Sequence, residues 1–379
     1  MTRGVSRREL VRIGVGGLAA ASSALLTGDR SFFEAQHPFG ISPPDPRTVL
    51  GVHTRLTDEV EPWKIERTLD MIQQMGARWI VELFPWAYIE PHQGVFDWDH
   101  PDLVVRSAAA RGLEVIARLD FVPAWARPAG TTPRLLPRER FPDYANFVAA
   151  FARRYREAVR YFIIWNEPNT SFEWGFRPVS APSYVELLAT AAASIRAVHP
   201  SAQILPAGLA PTIDRSDLAL EDRLFLQQMY DLGAARYFDA LCVHAYGWKF
   251  PPDDPPRADR LNFRRVELLR EVMEKNGDAA KPVLVTEAGW NDSPRWTKAV
   301  RPAQRIAYTL EALRLAAASW PWVRALCLWV FRLPTLAHDY NDYFTFVDTN
   351  FRPKPIYTAV AAHAGEWVRT ANGSASRLP

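Results

Sequence analysis

Eight short apolar runs alternate with helix-like stretches from about residue 47 onward, and this alternation constrains the fold more than any other feature. A short apolar run bounded by polar residues predicts a buried strand. Strands that alternate with helices are typical of a parallel sheet. The predicted strands are Val49–Thr54, Trp79–Leu83, Val115–Asp120, Phe162–Trp165, Ile204–Ala207, Ala240–Ala245, Val283–Thr286 and Ala325–Phe331.

The stretches between these runs carry apolar residues at helical spacing. Between the first two strands, Trp63, Ile65, Leu69, Ile72 and Met75 form a stripe that predicts an amphipathic helix. The same spacing predicts further helices over Tyr184–Val198, Leu220–Leu232, Val266–Met273 and Ala303–Ala317.

A count of eight strands predicts closure into a (β/α)8 TIM barrel, as a single domain of the α/β class over residues 46–372. The main alternative is a doubly wound open sheet. That fold predicts a glycine-rich phosphate turn after the first strand. The segment Gly51-Val52-His53-Thr54 is not such a turn, which favours the barrel.

The beginning of the chain has the basic-then-apolar order of an export signal. Arg7 and Arg8 precede the charge-free stretch Ile13–Leu26, which is short for a membrane span. The paired arginines resemble the twin-arginine type of signal, so we predict an export signal over residues 1–27 and an exported protein, periplasmic or extracellular. A retained, uncleaved anchor and a plain basic terminus stay open. We further predict a linker over residues 28–45 and a disordered tail over 373–379.

Composition excludes several classes of function. The net charge is only +3, and no block of lysines and arginines predicts a nucleic-acid partner. The only cysteines are Cys242 and Cys327, too few for a disulfide framework or a cysteine-rich metal site. We therefore predict no nucleic-acid partner and no cysteine-rich metal site.

Two carboxylates stand at the carboxyl ends of predicted strands. Glu167, in Asn166-Glu167-Pro168, follows the fourth strand, and Glu287 follows the seventh. Active sites of (β/α)8 barrels lie at this end of the strands. The two glutamates are therefore the candidates for one catalytic pair.

Side chains two positions apart in a strand point to the same side, and this rule predicts which residues accompany the glutamates. Ile163 and Trp165 are predicted to share a face with Glu167, and Val283 and Val285 to share a face with Glu287. The residues predicted to face inward on the sixth and eighth strands are Cys242, His244, Tyr246, Cys327, Trp329 and Phe331.

Longer motifs around the glutamates match a known family. Trp165–Asn169 and Thr286–Trp290 resemble the clan A glycoside hydrolases, (β/α)8 enzymes with catalytic glutamates after strands four and seven. The resemblance covers nearly the whole chain after residue 46, and it is to the β-xylosidase-like and cellulase-like members. Supporting matches are Pro85–Pro91 with Gly94–Trp98, Pro123–Ala126, Val243–Tyr246 and the strand that holds Trp329.

The resemblance implies retaining hydrolysis of β-glycosidic bonds in oligo- or polysaccharides, a reaction that needs no metal and no organic cofactor. Glu167 would be the acid/base and Glu287 the nucleophile, with the two carboxyl groups about 5–5.5 Å apart. Two alternatives keep the same residues: a carbohydrate-binding barrel without turnover, and a transglycosylase that acts on cell-surface polysaccharide.

The resemblance also implies the residues that contact the substrate. Asn166 would bind the sugar 2-hydroxyl, Tyr246 would bind the nucleophile, His244 would line the same subsite, and Trp329 would form its aromatic floor. His53 is assigned to the same site. Trp174 and Trp290 would stack on further sugar units or pack within their loops, as would Phe172, Phe176 and Trp248.

One departure from the clan concerns an arginine that many members carry on the second strand near the nucleophile. The strand Trp79–Leu83 has none. Arg118 on the third strand would replace it, or Tyr246 alone would support the nucleophile, or Glu82 would be a third carboxylate in the pocket. These three options stay open at the level of the sequence.

Overall fold

A computed structural model describes residues 49–364 of the chain. The predicted export signal (1–27), linker (28–45) and tail (373–379) lie outside the described residues, so these remain predictions. Within residues 49–364, no helix combines the length and the apolar character that crossing a membrane requires.

All eight predicted strands are present, with ends that differ from the prediction by a few residues. Each is almost wholly buried, as expected for parallel strands covered by helices. The strands are β1 (Leu50–His53), β2 (Trp79–Pro85), β3 (Glu114–Asp120), β4 (Val159–Ile164), β5 (Gln203–Pro206), β6 (Leu241–Tyr246), β7 (Val283–Gly289) and β8 (Val323–Leu328).

The strands form one parallel sheet in the order β5-β4-β3-β2-β1-β8-β7-β6. The two outer strands of this order meet through a parallel bridge between Leu209, just beyond β5, and Val243 of β6. The sheet is therefore a nearly closed barrel, which confirms the predicted (β/α)8 fold.

Helices cover the outside of the barrel, and the five predicted ones are all found. The helices are α1 (Pro62–Gln74), α2 (Trp86–Ile89), α3 (Asp99–Ala109), α4 (Phe141–Arg154), α5 (Ala181–Val198), α6 (Asp222–Asp231), α7 (Arg265–Lys275) and α8 (Pro302–Ser319). The sequence did not predict α2, α3 and α4, although Phe141, Tyr144, Phe147 and Phe151 give α4 a buried aromatic face. Residues 355–364 form a further helix after β8.

The barrel interior has its own apolar core, separate from the larger core between sheet and helices. Gly51 of β1 faces this interior, where a methyl group would lie 2.6 Å from Cys327 Sγ and 2.8 Å from Trp79 Cβ. Both cysteines are free and buried there. The interior core consists of Trp79, Val81, Ile116, Tyr161, Ile163, Leu205, Ala240, Cys242, Leu284, Ala325 and Cys327.

The simple alternation rule fails on β7, where the prediction for Val283 and Val285 was wrong. Both valines belong to the outer core, whereas Leu284 faces the interior. Thr286 also faces inward, since its Oγ1 lies 2.8 Å from Cys242 Sγ. A register shift against β6 and β8 then brings Glu287 to the inner side. This irregularity has the effect of a β-bulge, which re-aims a side chain near a site.

Trp165 and Phe331 were also predicted to face inward, and both belong to the outer core instead. Trp165 follows the end of β4 with a φ of 75°, so the chain has already left the strand geometry there. Phe331 similarly lies beyond the end of β8. The period of two holds only while the backbone stays extended.

Gly51 provides a test of interior packing. We expect Gly51→Ala to lower the free energy of unfolding by about 1–3 kcal/mol, because the added methyl group overpacks a filled interior. Urea denaturation of the purified protein measures this change. Combining it with Cys327→Ala should recover part of the loss by removing the nearest atom. An unchanged stability of Gly51→Ala would contradict the packing described here.

Candidate active site

Glu167 and Glu287 meet at the carboxyl end of the barrel. Oxygens of the two carboxylates lie within 4.8 Å of each other. Both line one solvent-open pocket of about 850 Å³. The side chain of Glu287 is 9% exposed and that of Glu167 is 19% exposed. The structure thus brings together the two side chains that the sequence singled out.

Glu287 is held by donors on two strands, and a histidine on a third strand lies nearby. The Tyr246 hydroxyl donates to Oε2 over 2.7 Å. Arg118 Nη1 donates to Oε1 over 3.4 Å, and His53 Nε2 lies 3.8 Å from the same oxygen. These contacts fix the carboxylate and leave its charge partly compensated by Arg118.

Glu167 is oriented by His244 and by its backbone. His244 Nδ1 donates to Glu167 Oε1 over 2.7 Å, and the Glu167 amide donates to the carbonyl of Gly208 over 3.0 Å. Gly208 leaves the space for the imidazole, since a Cβ there would lie 2.3 Å from His244 Nε2. The absence of a side chain at position 208 is therefore a requirement of this contact.

The turn that carries Asn166 has an unusual backbone. Trp165 and Glu167, on either side of it, have φ values of 75° and 39°. Such left-handed conformations are uncommon for residues other than glycine and cluster at functional sites. They place Asn166 Oδ1 where it accepts a hydrogen bond of 3.2 Å from Arg118 Nη1.

The two histidines have opposite electrostatic environments. Burial lowers the pKa of His244, but the carboxylates of Glu287 and Glu167 outweigh it, so the pKa lies above the usual 6.5. Burial lowers the pKa of His53 well below 6.5, and the charges of Arg118 and Arg55 lower it further. His53 Nδ1 donates to the Thr54 carbonyl over 2.9 Å, which fixes its neutral tautomer.

The structure decides among the three options for the missing arginine. Arg118 reaches both Glu287 and Asn166, so it stands beside the nucleophile candidate together with Tyr246. Glu82 is not in this pocket. Its carboxylate accepts hydrogen bonds from the Thr54 hydroxyl and from the amides of Leu56 and Thr57. Burial raises the pKa of Glu82 to about 7 despite these bonds.

Other predicted substrate contacts are divided between the pocket and the core. Asn166, Tyr246, Arg118 and Trp329 line the pocket, with the Trp329 ring 4.5 Å from the ring of His53. Their roles toward a sugar stay predictions.

Trp174 and Trp290 require a correction. Trp174 is 1% exposed and packs against Trp165 and Tyr184, whereas Trp290 is 2% exposed and donates to the Phe250 carbonyl over 2.7 Å. Neither ring has a face that a sugar can reach. The loop-packing alternative holds for both.

Several lining residues had no signal in the sequence beyond their position in loops after strands. Trp296 and Tyr340 stack at 4.7 Å with an interplanar angle of 15°, and Trp248 lies against Trp296. Aromatic residues in loops after β6, β7 and β8 were the signal that could have found them. The unpredicted lining residues are Arg134, Glu173, Ala210, Pro211, Asn291, Trp296, Tyr340, Asn341 and Phe344.

A metal ion has one candidate position among residues 49–364. Glu167, His244 and Glu287 each offer a ligand atom, and these atoms lie within 4.8 Å of one another. His244 Nδ1, however, is engaged in the 2.7 Å hydrogen bond with Glu167, and a metal ion at that nitrogen would have to displace this bond. The observed arrangement suits proton transfer better than metal binding.

The histidine environments predict distinct titrations. We expect His244 to stay protonated above pH 6.5 and His53 to stay neutral well below it, because their pKa values are shifted in opposite directions. Histidine ¹⁵N NMR, assigned with His53→Gln and His244→Gln variants, measures both. Since the pKa of His244 is raised in the folded protein, protonated His244 adds to the free energy of unfolding. This contribution is complete below pH 6.5 and disappears as the pH rises through the folded pKa. A pKa near 6.5 for both His53 and His244 would contradict the opposite shifts described here.

Comparison with known proteins adds two findings. Residues 57–157 match a glycoside hydrolase family 42 model described as β-galactosidase. No curated protein matches the chain.

Solved structures of glycoside hydrolases share the fold. A family 39 glycoside hydrolase from Bacteroides cellulosilyticus WH2 aligns with a TM-score of 0.68 at 20% identity, over 85% of this chain and 65% of that one. A family 39 enzyme from Xanthomonas axonopodis pv. citri gives 0.64 at 17% identity, over 84% and 66%. A β-galactosidase from Marinomonas ef1 gives 0.60 at 12% identity, over 86% and 60%. The chain thus spans about two thirds or less of the length of these proteins.

The family model and the solved structures that this chain is similar to are both described as glycoside hydrolases. The family model covers one segment of the chain, and the fold similarity covers most of it. The resemblance to the clan A glycoside hydrolases that the sequence predicted is therefore confirmed.

Proposed function

We propose that the chain is a retaining β-glycosidase that cleaves oligo- or polysaccharides by double displacement. The observation that carries the proposal is the approach of Glu167 and Glu287 oxygens to within 4.8 Å. Retaining enzymes hold their two carboxyl groups about 5–5.5 Å apart, whereas inverting enzymes leave about 6.5–9.5 Å for a water molecule. The short separation supports the retaining mechanism.

In the first step, Glu287 acts as the nucleophile and attacks the anomeric carbon. Glu167 gives its proton to the glycosidic oxygen, the bond to the leaving group breaks, and a glycosyl ester forms on Glu287. Tyr246 and Arg118 hold the attacking carboxylate in place through the contacts described above. This positioning lowers the entropic part of the barrier.

In the second step, Glu167 acts as a base. It removes a proton from water, which attacks the anomeric carbon and releases Glu287. His244, protonated and bonded to Glu167, keeps this carboxylate oriented in both steps.

Asn166 is suited to bind the sugar 2-hydroxyl. Its Oδ1 already accepts from Arg118, so its Nδ2 is the atom left to donate into the pocket. Hydrogen bonds to the 2-hydroxyl strengthen as charge develops at the anomeric carbon. A binding barrel without turnover needs no such complete set of acid, nucleophile and orienting groups, which favours an active hydrolase.

Substitution of the glutamates tests the proposal. We expect Glu287→Ala to abolish turnover of nitrophenyl glycosides, and azide to restore it as a glycosyl azide of inverted anomeric configuration, because azide replaces the missing nucleophile. We expect Glu167→Ala to lower kcat about 10²–10⁴-fold on substrates with poor leaving groups, since proton donation is lost. Loss should be smaller with dinitrophenyl glycosides, which need no acid.

The control variant is Glu186→Gln, which changes a partly exposed glutamate of α5 that forms an ion pair with Arg138. It should retain full activity. Near-normal hydrolysis by both Glu167→Ala and Glu287→Ala, with circular dichroism spectra that show intact folds, would rule the mechanism out.

We also propose that the protein is exported through a twin-arginine-type signal over residues 1–27. Support comes from Arg7 and Arg8 ahead of an apolar stretch. We expect replacement of both arginines by lysine to retain the protein inside the producing cell, because paired arginines define this signal. Cell fractionation and immunoblotting measure the distribution. Unchanged export of the double variant would show that another route is used.

A further inference from the structure

An ion pair outside the catalytic glutamates forms part of the pocket wall. Arg134, in the loop after β3, and Glu173, in the loop after β4, contact each other through Nη1 and Oε2. Both line the pocket, and they are only 4% and 5% exposed. Burying two charges costs desolvation free energy, and an apolar pair of similar size would avoid this cost. The pair is therefore a candidate for a functional role.

Neighbouring groups hold this pair in one geometry. The guanidinium of Arg134 lies 4.9 Å from the ring centre of Phe121 and 5.0 Å from that of Phe172. The backbone carbonyl of Glu173 accepts a hydrogen bond of 2.9 Å from Trp165 Nε1. Burial lowers the pKa of Arg134 to about 10, which leaves it charged at neutral pH. The pair is therefore preorganised before a ligand arrives.

Among residues 49–364, the charged side chains that line the pocket include no cation without a carboxylate partner. The lining carboxylates, Glu167, Glu173 and Glu287, outnumber the two guanidiniums. Arg118 contacts Asp120 at 3.2 Å and Glu287 at 3.4 Å, and Arg134 is committed to Glu173. A ligand with its own carboxylate would add a negative charge here without a partner, and an unpaired buried charge is strongly unfavourable.

A fixed pair of guanidinium and carboxylate suits hydroxyl groups. A hydroxyl donates one hydrogen bond and accepts others, so it can bond to Glu173 and Arg134 at once. We propose that the Arg134–Glu173 pair is a specificity determinant that binds hydroxyls of a neutral sugar unit and excludes uronic acids. This inference rests on the proposed function, because it concerns the substrate of the same pocket.

The test compares two substrates that differ in one group, a nitrophenyl β-glucoside and the corresponding β-glucuronide, with β-xyloside and β-galactoside as further neutral substrates. We expect the wild-type protein to prefer the neutral substrates by kcat/KM. We expect Glu173→Gln to raise KM for the best neutral substrate about 10–100-fold, the effect of losing a hydrogen bond to a charged group. Glu173→Gln should also raise the ratio of kcat/KM for the glucuronide to kcat/KM for the glucoside at least about tenfold. Arg134 loses its partner in this variant and becomes available to the carboxylate of the substrate.

Two further variants sharpen the comparison. Glu173→Asp keeps the charge but withdraws the carboxylate, so it should weaken neutral substrates without favouring the glucuronide. Glu186→Gln changes the exposed pair with Arg138 and should leave the ratio unchanged. Thermal melts establish that each variant is folded, and the Asp variant keeps the test decisive if the Gln variant is unstable.

Preference of the wild type for the glucuronide, or an unchanged ratio and KM in Glu173→Gln, would overturn the inference. Failure of the proposed function has a different signature, namely full hydrolysis by Glu287→Ala or none by the wild type. In that case calorimetry with cellobiose and with its uronic acid counterpart tests the pair directly. Tighter binding of cellobiose that Glu173→Gln abolishes supports the inference, and equal binding of both sugars rejects it.

Discussion

Closure of the barrel is the constraint on which the rest of the structure depends. The bridge between Leu209 and Val243 joins the two ends of the strand order, so the carboxyl ends of β4 and β7 face each other across a narrow rim. An open sheet would spread these strand ends apart. The interior beneath is filled, with Gly51 against Cys327 and Trp79, so the pocket lined by Glu167 and Glu287 lies above the last interior layer.

At that rim, a single guanidinium links several polar groups of the candidate active site. Arg118 contacts Glu287, Asn166 and Asp120 with one planar side chain. It therefore couples the position of Glu287, the proposed nucleophile, to that of the Asn166 amide. Glu167, the proposed acid/base, is held separately by His244, so the two carboxylates have different electrostatic partners although their oxygens are close. Different environments for paired carboxylates are what acid and nucleophile roles require.

The sequence predicted the regular parts of the molecule well, because hydrophobic periodicity reports burial directly. Eight strands and five helices follow from it, and so does the position of Glu167 and Glu287 at strand ends. Periodicity failed where the backbone departs from extended geometry, at Trp165 and at the irregularity before Glu287. It also gave no sign that Trp174 and Trp290 are core residues, because an aromatic residue in a loop looks the same in either role. The Arg134–Glu173 contact joins two loops, and nothing local in the chain indicates it.

The two free cysteines in the barrel interior have a practical consequence. Burial raises the pKa of Cys242 to about 12 and raises that of Cys327 as well, so both thiols stay protonated at neutral pH. The thiolate is the reactive form of cysteine, and neither sulfur is accessible. Alkylating reagents consequently modify these thiols only when the barrel opens. The rate at which these two thiols are alkylated in the native protein therefore reports the rate of global unfolding, with no engineered label.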